Sequence, residues 1–319
     1  MRFFVSLLTA LFAGIAVVLP VFAAPPADWP QQLNFGVIPS ESSDNVTERF
    51  NGLRQYLEQR LGIPVKMQVA TDYAGVITAM QFKHIDLAYF GPKAYVDAAQ
   101  RANAEAFVVQ ILRDGRNGYH GVVITRKDSS IHNIEDAKGK IFAFTDPNST
   151  SGTLVPTVYF VKEMKIKPEE YFSKVIYSGS HQASILEVKS GRVDLASTND
   201  LDLLRGNGKQ WNTDQDFRVL WTSPLIPGSP MAFRKDLPAS LKEALTNAFI
   251  SYKDPAGLQL LALLLQLCVH LLARGQQFVL GLVGQTQCLP RNVARFGADG
   301  DGDGRIDLVR SRGDALAST

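Results

Sequence analysis

KIFAFTDPNSTSGTLVP, residues 140–156, decides how the rest of the chain is read. An apolar run ends at Thr145 and Asp146, and the apolar segment TLVPTVYFVKEM (153–164) begins after Gly152. The pattern predicts a strand, a short turn and a helix start, with Ser149, Thr150 and Ser151 at the junction. The first turn of a helix has unpaired backbone N–H groups and a partial positive charge, so it attracts anions. Three hydroxyls add donors that can surround a tetrahedral oxyanion. Gly152 lets the backbone approach closely, and Pro156 is tolerated only near a helix start. A helix cap accounts for one such hydroxyl, not for three in succession. Hydrogen bonds to a charged partner contribute about 1.5–3 kcal/mol each, so four or five reach micromolar affinity after association costs.

On both sides of this stretch, short apolar runs alternate with helical patterns. LNFGVIP (33–39), VKMQVA (65–70) and IDLAYF (85–90) read as strands. Between and after them come helices at Val46–Leu61, 73–82 and 94–102, the first closed by Gly62 and Pro64. A second series follows: strands at 121–127, 140–146, 175–179 and 193–197, then 217–223 and 231–235, and a helix at 241–252. This order implies an α/β fold with parallel or mixed sheets covered on both faces. Two lobes with crossovers near 115–120 and 215–225 are expected. Lobe one takes 33–118 and 220–254, lobe two takes 119–219, and a ligand cleft lies between them.

Gross properties exclude more than they assign. The 319 residues carry a formal charge of +2 and are 45% hydrophobic, enough for two compact lobes. No dense Lys/Arg patch interleaved with aromatics marks a nucleic-acid partner. Residues 1–23 have Arg2, an apolar stretch and small residues before Ala24, the layout of a cleaved secretory signal with the cut after Ala23. A periplasmic location is expected. The two cysteines, Cys268 and Cys288, come late, so the first 250 residues hold no disulfide framework.

LNFGVIPSES, TDYAGVITAM, DLAYFGPKAY, DPNSTSGTLVP, SGSHQAS and SPLIPGSP occur in that order. Over about residues 33–254 the chain thereby resembles the periplasmic phosphonate-binding proteins of ABC importers, within the phosphate/phosphite/phosphonate-binding family. The resemblance implies a type II periplasmic-binding-protein fold whose lobes close on a small phosphorus oxyanion and pass it to an inner-membrane permease. It implies no chemistry and no required cofactor, and a monomer or dimer. It places Ser149, Thr150 and Ser151 on the oxyanion, joined by Tyr73, Tyr119 and His181 as ligand contacts. Tyr89, Phe90, Gly91 and Ser229 are expected to line the cleft. His84, His120, His132 and His270 have no metal-ligand spacing and are read as structural.

The sequence departs from that family in two places. Aminophosphonate-binding relatives hold the ligand's ammonium with carboxylates, where this chain has Leu201 and Ser229, with Asp200 and Asp202 flanking the first. An unpaired ammonium in a closing cleft is costly. Phosphite, phosphate or methylphosphonate is therefore expected ahead of 2-aminoethylphosphonate. The second departure follows Asp254. Residues 255–290 are Leu-rich without an amphipathic face, and their longest uncharged piece, Gly257–Ala273, has 17 residues, marginal for about 30 Å of hydrocarbon.

Residues 291–319 carry DGDGDGRID, with Asp299, Asp301 and Asp303 at alternate positions like the first half of a calcium loop. That segment resembles the calcium-loop region of B-type lytic murein transglycosylases, which implies Asp314 as a late carboxylate and Ca2+ as a ligand. No ESxYG motif is present, so glycan cleavage is not expected. A fusion, frameshift or assembly error near residues 255–260 is the expected origin of this tail. Two other classes remain open: a hydrolase using Ser149 or Ser151 with His181 and Asp194, and a calcium-dependent cell-wall-associated protein.

Overall fold

A computed structural model describes residues 25–112, 115–252 and 260–261. The expected signal segment, nearly all of the Leu-rich stretch and the Asp/Gly loop lie outside the described residues. Among these, no helix is long and apolar enough to cross a membrane.

The chain begins with strand β1 (Leu33–Val37), helix α1 (Ser43–Leu61) and strand β2 (Val65–Val69). In α1, Ser42 caps the start and Gly62 ends it at φ +69°, while Val46, Phe50, Leu53, Leu57 and Leu61 form the buried stripe their spacing predicts. Next come α2 (Tyr73–Gln81), β3 (Leu87–Tyr89), α3 (Pro92–Arg101) and β4 (Ala104–Gln110). Strands β5 (Gly118–Tyr119), β6 (Gly121–Arg126) and β7 (Ile141–Phe144) lead to the helical segment after the hydroxyl turn.

That segment is not a regular helix over 153–164. Wide π-type turns at Thr150–Leu154 and Tyr159–Glu163 flank one α-helical stretch, α4 (Val155–Val158). Pro156 is the reason. It has no N–H to donate to the Gly152 carbonyl, which instead accepts from Thr145 N at 3.0 Å and Ser197 Oγ at 2.6 Å. The proline thus ties the turn to the sheet beneath it.

The chain continues through α5 (Pro168–Tyr171), β8 (Lys174–Tyr177), α6 (His181–Lys189), β9 (Leu195–Asn199), α7 (Asp200–Arg205) and α8 (Thr213–Asp216). It closes with β10 (Phe217–Thr222), β11 (Ile226–Pro227), β12 (Pro230–Arg234), α9 (Ala239–Ser251) and β13 (Leu260–Leu261).

Two mixed sheets result, with strand orders β13-β4-β12-β3-β1-β2 and β10-β6-β9-β7-β8. The first, with α1, α2, α3 and α9, forms lobe one around a core that includes Phe35, Phe50, Phe90, Phe107, Leu241 and Phe249. The second forms lobe two, with Ile124, Ile185 and Val188 on one side and Phe142, Phe144 and Phe160 on the other. Each side chain fully withdrawn from water in this way contributes about 1.5–3 kcal/mol.

Between the sheets runs the antiparallel ribbon β5–β11, through which both crossings pass. It requires Gly118, where a Cβ would meet the Ile226 carbonyl oxygen at 2.2 Å. The expected boundary at 219–220 falls inside β10, which pairs with β6 through Thr222, so the second crossing comes later in the chain.

Candidate functional site

In both sheets the carboxyl ends of the parallel strands point at the cleft. Val37 lies beside Tyr89 at the ends of β1 and β3, and Phe144 beside Tyr177 at the ends of β7 and β8. Helices that begin where these strands stop bring their amino termini to the same place. Tyr73 is the first residue of α2, Gly91 the N-cap of α3, Ser149 the N-cap of the wide-turn segment and His181 the first residue of α6. All four line one cavity of about 50 Å³. One water needs roughly 10–15 Å³ on that scale, so the space suits a group of a few heavy atoms.

The hydroxyl turn has its lone pairs directed inward and its protons available. Ser149 Oγ accepts from Gly152 N at 3.1 Å, and Thr150 Oγ1 accepts from Lys93 N at 2.9 Å. Accepting these bonds uses one lone pair of each hydroxyl and leaves its O–H free to turn toward an acceptor in the cavity. Asp146 organises the turn by accepting from Asn148 N at 2.7 Å, and Thr153 Oγ1 donates to the Asp146 carbonyl oxygen. Gly152 is required, because a Cβ there would stand 2.2 Å from Thr145 Oγ1.

Several of these bonds cross the cleft. Lys93 belongs to lobe one and Thr150 to lobe two, and Tyr73 N donates to Asp146 Oδ2 at 3.4 Å. Gln182 N donates to the Ser40 carbonyl oxygen, and Ser42 N to Gln182 Oε1 at 2.6 Å. The lobes are therefore closed upon the cavity.

Burial sets the protonation of the lining groups. His181 is held below the ordinary histidine value by burial, so its ring is neutral at pH 7. Its Nε2 faces Ser149 Oγ at 3.4 Å, and its Nδ1 faces Thr198 Oγ1 at 3.2 Å and Thr145 Oγ1 at 3.4 Å. Burial raises the phenols of Tyr73 and Tyr119, which stay protonated donors. Ser151 Oγ makes no hydrogen bond by distance, yet it lies near enough to Tyr119 to moderate that rise.

The cavity brings together most of the expected residues. Tyr73, Tyr119, Ser149, Thr150 and His181 line it, as do Tyr89, Gly91 and Ser229. Two expected residues do not. Phe90 turns into the lobe-one core with no exposure. Ser151 is buried behind the turn, its carbonyl and Cβ packed against Gly121.

Leu201 and Ser229 both face the cavity, and so does Asp202, while Asp200 pairs with Arg116 and accepts from His120 N. The Ser–His–Asp alternative does not assemble. Asp194 accepts from Ile141 N at 2.8 Å, and hydroxyls rather than a carboxylate face His181 Nδ1. Among the described residues no His/Cys/Asp/Glu group has metal-site geometry. Asp299, Asp301, Asp303 and Asp314 lie outside the described residues.

The structure adds charged residues that the sequence reading passed over. Arg49 and Arg205 line the cavity with Asp202. A signal for Arg49 was present: it stands three residues after Val46, a cation within the apolar stripe of α1. Burial and the neighbouring charge of Arg205 push Arg49 below the ordinary arginine value. Burial works against the charge of Asp202, but Arg205 foremost holds its carboxyl below the usual range.

Residues 35–267 match the family described as "ABC transporter, phosphonate, periplasmic substrate-binding protein". That match continues past 255–260, where the sequence changes character. Residues 274–319 match a second family, the transglycosylase SLT domain. The chain is 35% identical over 250 residues to the phosphonates-binding periplasmic protein of Escherichia coli, covering 76% of this chain and 72% of that one. It is 30% identical over 231 residues to the phosphate-import protein PhnD of Mycolicibacterium smegmatis, covering 69% and 72%. A crystal structure of a binding-protein component of an ABC phosphonate transporter from Pseudomonas aeruginosa superimposes with TM-score 0.68 at 36% identity, over 72% of this chain and 76% of that one.

Proposed function

The chain belongs to the periplasmic substrate-binding proteins of phosphonate ABC transporters, and from that premise we propose that its cavity captures a small phosphonate, phosphite or phosphate for delivery to a membrane permease. One observation carries the reading: helix amino termini from both lobes converge on a cavity of about 50 Å³ lined by the Ser149 and Thr150 hydroxyls, each with an O–H to donate. Such a site favours a compact anion rich in acceptors. Neutral His181 and the protonated phenols of Tyr73 and Tyr119 extend the donor set without adding a charge the ligand does not need. Leu201 and Ser229 bring no carboxylate to the wall. A ligand with a small uncharged substituent, or none, fits better than an aminoalkylphosphonate.

The protein acts by binding and release, with no cofactor, after export and cleavage behind Ala23. Ca2+ at Asp299, Asp301, Asp303 and Asp314, and a wall-associated role, are readings of the tail alone. The junction of two family matches is accounted for by a fusion, a frameshift or an assembly error.

Isothermal titration of the purified chain with phosphite, phosphate and methylphosphonate tests the function directly. Stoichiometric binding with micromolar or tighter affinity for at least one is expected, with no turnover. Absence of binding to all three, or release of inorganic phosphate from an ester, overturns it. Repeating the titration after chelation separates the tail reading: lost affinity would place Ca2+ in the capture mechanism.

A further inference from the structure

Four charged groups, three of them in the cavity wall, lie in a row at the cleft. Arg49 Nη1 pairs with Glu41 Oε1 at 2.9 Å, and the same oxygen receives Arg205 Nη1 at 3.0 Å. Arg205 Nη1 also pairs with Asp202 Oδ1. The second carboxylate oxygen of Asp202 accepts from Asn199 Nδ2 at 2.6 Å. Glu41 and Arg49 belong to lobe one, whereas Asp202 and Arg205 belong to α7 of lobe two. The row alternates in sign and carries no net charge. It also spans the cleft, and Arg205 is the link that does so.

Three of these residues face the ligand space: Arg49, Asp202 and Arg205. Asp202 is thus a carboxylate in the cavity wall that has no need of a cation from the ligand, because Arg205 already supplies one. An ammonium entering here would have to displace a guanidinium held by two carboxylates, or remain between two arginines. Both cost free energy in a cleft whose lobes meet around the ligand. A second carboxylate on the ligand fares little better, since each guanidinium is already paired and Asp202 repels it.

We propose that Arg205, by joining Asp202 beside it to Glu41 across the cleft, sets the charge specificity of the cavity, admitting phosphorus acids whose substituent is uncharged and rejecting those that bring an ammonium or a second carboxylate. This inference rests on the phosphorus-oxyanion reading and adds to it a residue and a rule. Arg205 acts on selectivity through the carboxylates it neutralises, and it forms a cross-lobe contact that owes nothing to the ligand. The direction of the Asp202 shift agrees, its carboxyl being kept ionised by Arg205.

Three probes read the rule by calorimetry: methylphosphonate, 2-aminoethylphosphonate and phosphonoacetate. The unaltered protein is expected to bind methylphosphonate at least tenfold more tightly than either charged analogue. In Arg205→Gln, Asp202 and Glu41 lose their shared cation, and the preference for methylphosphonate over the amino compound should fall tenfold or more. Asp202→Asn should shift selectivity the other way, improving phosphonoacetate relative to methylphosphonate by a similar factor. Because the two variants move selectivity in opposite directions, loss of folding in one leaves the other decisive.

Tighter binding of 2-aminoethylphosphonate by the unaltered protein overturns the inference. So do unchanged ratios in a folded variant that still binds methylphosphonate. Either result leaves the phosphorus-oxyanion reading intact. No heat with any phosphorus acid at millimolar concentration overturns that reading and this inference together.

Discussion

In lobe one the side chains withdrawn from water are almost all hydrocarbon. Phe35, Phe50, Leu53, Leu57, Ile77 and Phe90 fill its centre, and among the described residues Ser40 and Asp86 are the buried polar ones. Lobe two has a similar strand-and-helix layering, yet its cleft-facing side is hydroxyl, amide and imidazole: Thr145, Ser149, Thr150, Ser184, Ser197, Thr198 and Asn199 are all buried there with His181. The same architecture serves two purposes. Lobe one contributes phenols, helix starts and the Arg49–Glu41 pair. Lobe two is a web of donors that closes onto an anion. A buried polar group without a partner costs about 1–3 kcal/mol, so such a web persists only where its members hold one another or a ligand. Ser149, Thr145 and His181 do the former, and the protons left over are available for the latter.

Removing donors should break the comparison most sharply. Ser149→Ala with Thr150→Ala deletes two hydrogen bonds to a charged ligand, about 3–6 kcal/mol in all, or roughly 10²–10⁴ in affinity. Melting of the ligand-free protein should fall by only a few degrees, since the main loss to the fold is one cap worth about 1 kcal/mol. Calorimetry with methylphosphonate and a thermal melt read the two quantities. Affinity retained within threefold would show that lobe two does not hold the oxyanion with these hydroxyls.

A lobe-one substitution should do the reverse. Phe35 is fully buried on β1 and meets Phe50 edge-on at 5.8 Å. Phe35→Ala should destabilise the protein by about 3–5 kcal/mol in a urea titration, while the fraction that remains folded binds ligand within threefold of normal. A large affinity loss in folded protein would mean that the core of lobe one is coupled to the ligand and is not a passive wall.

This division also explains what could be read from the sequence. The stripe of α1 and most strands of both sheets follow from apolar spacing, and the hydroxyl turn was visible because three adjacent hydroxyls exceed what one helix cap uses. Strand β4 was missed because AEAFVVQ follows directly on the α3 pattern, without the Gly or Pro that marks a boundary elsewhere. The ribbon β5–β11 has two residues per strand, too few for any periodicity. Phe90 is expected at the cleft because a motif names neighbours without giving the burial of each, and only Tyr89 and Gly91 of the three reach the cavity. The ionic row escaped for a different reason. Glu41, Arg49, Asp202 and Arg205 come from two lobes 150 residues or so apart in sequence, and only the closed cleft brings their charges together.

The pH response sharpens the comparison at the imidazole. The unfolded chain's histidine titrates near about 6.5, and burial places His181 lower in the folded protein. Between those two values the unfolded chain binds a proton that the folded one does not. The His181 contribution to stability is therefore complete above about pH 6.5 and lost as pH falls through the folded value, with a slope of at most about 1.4 kcal/mol per pH unit. Urea titrations of the ligand-free protein from pH 7.5 downward should show that slope, and His181→Asn should flatten it. An equal slope in the variant would assign the effect to other groups.

The smallest effect concerns the contact between the lobes. Gln182 begins in lobe two and reaches across: its Oε1 accepts from Ser42 N at 2.6 Å, and its Nε2 donates to Gln210 Oε1 at 2.7 Å. Its backbone N–H bonds the Ser40 carbonyl oxygen regardless of side chain. Gln182→Ala thus removes one neutral bond across the cleft and leaves the backbone contact, a net of about 0.5–1.5 kcal/mol. Because the bond exists only when the lobes meet, the loss should be felt in closure and hardly in folding. Affinity for methylphosphonate should drop about two- to tenfold, through faster release, while the ligand-free melting temperature stays within about a degree. If the melting temperature falls and affinity does not, the side chain supports the packing of α6 within lobe two, and closure rests on the ionic row and the hydroxyl turn.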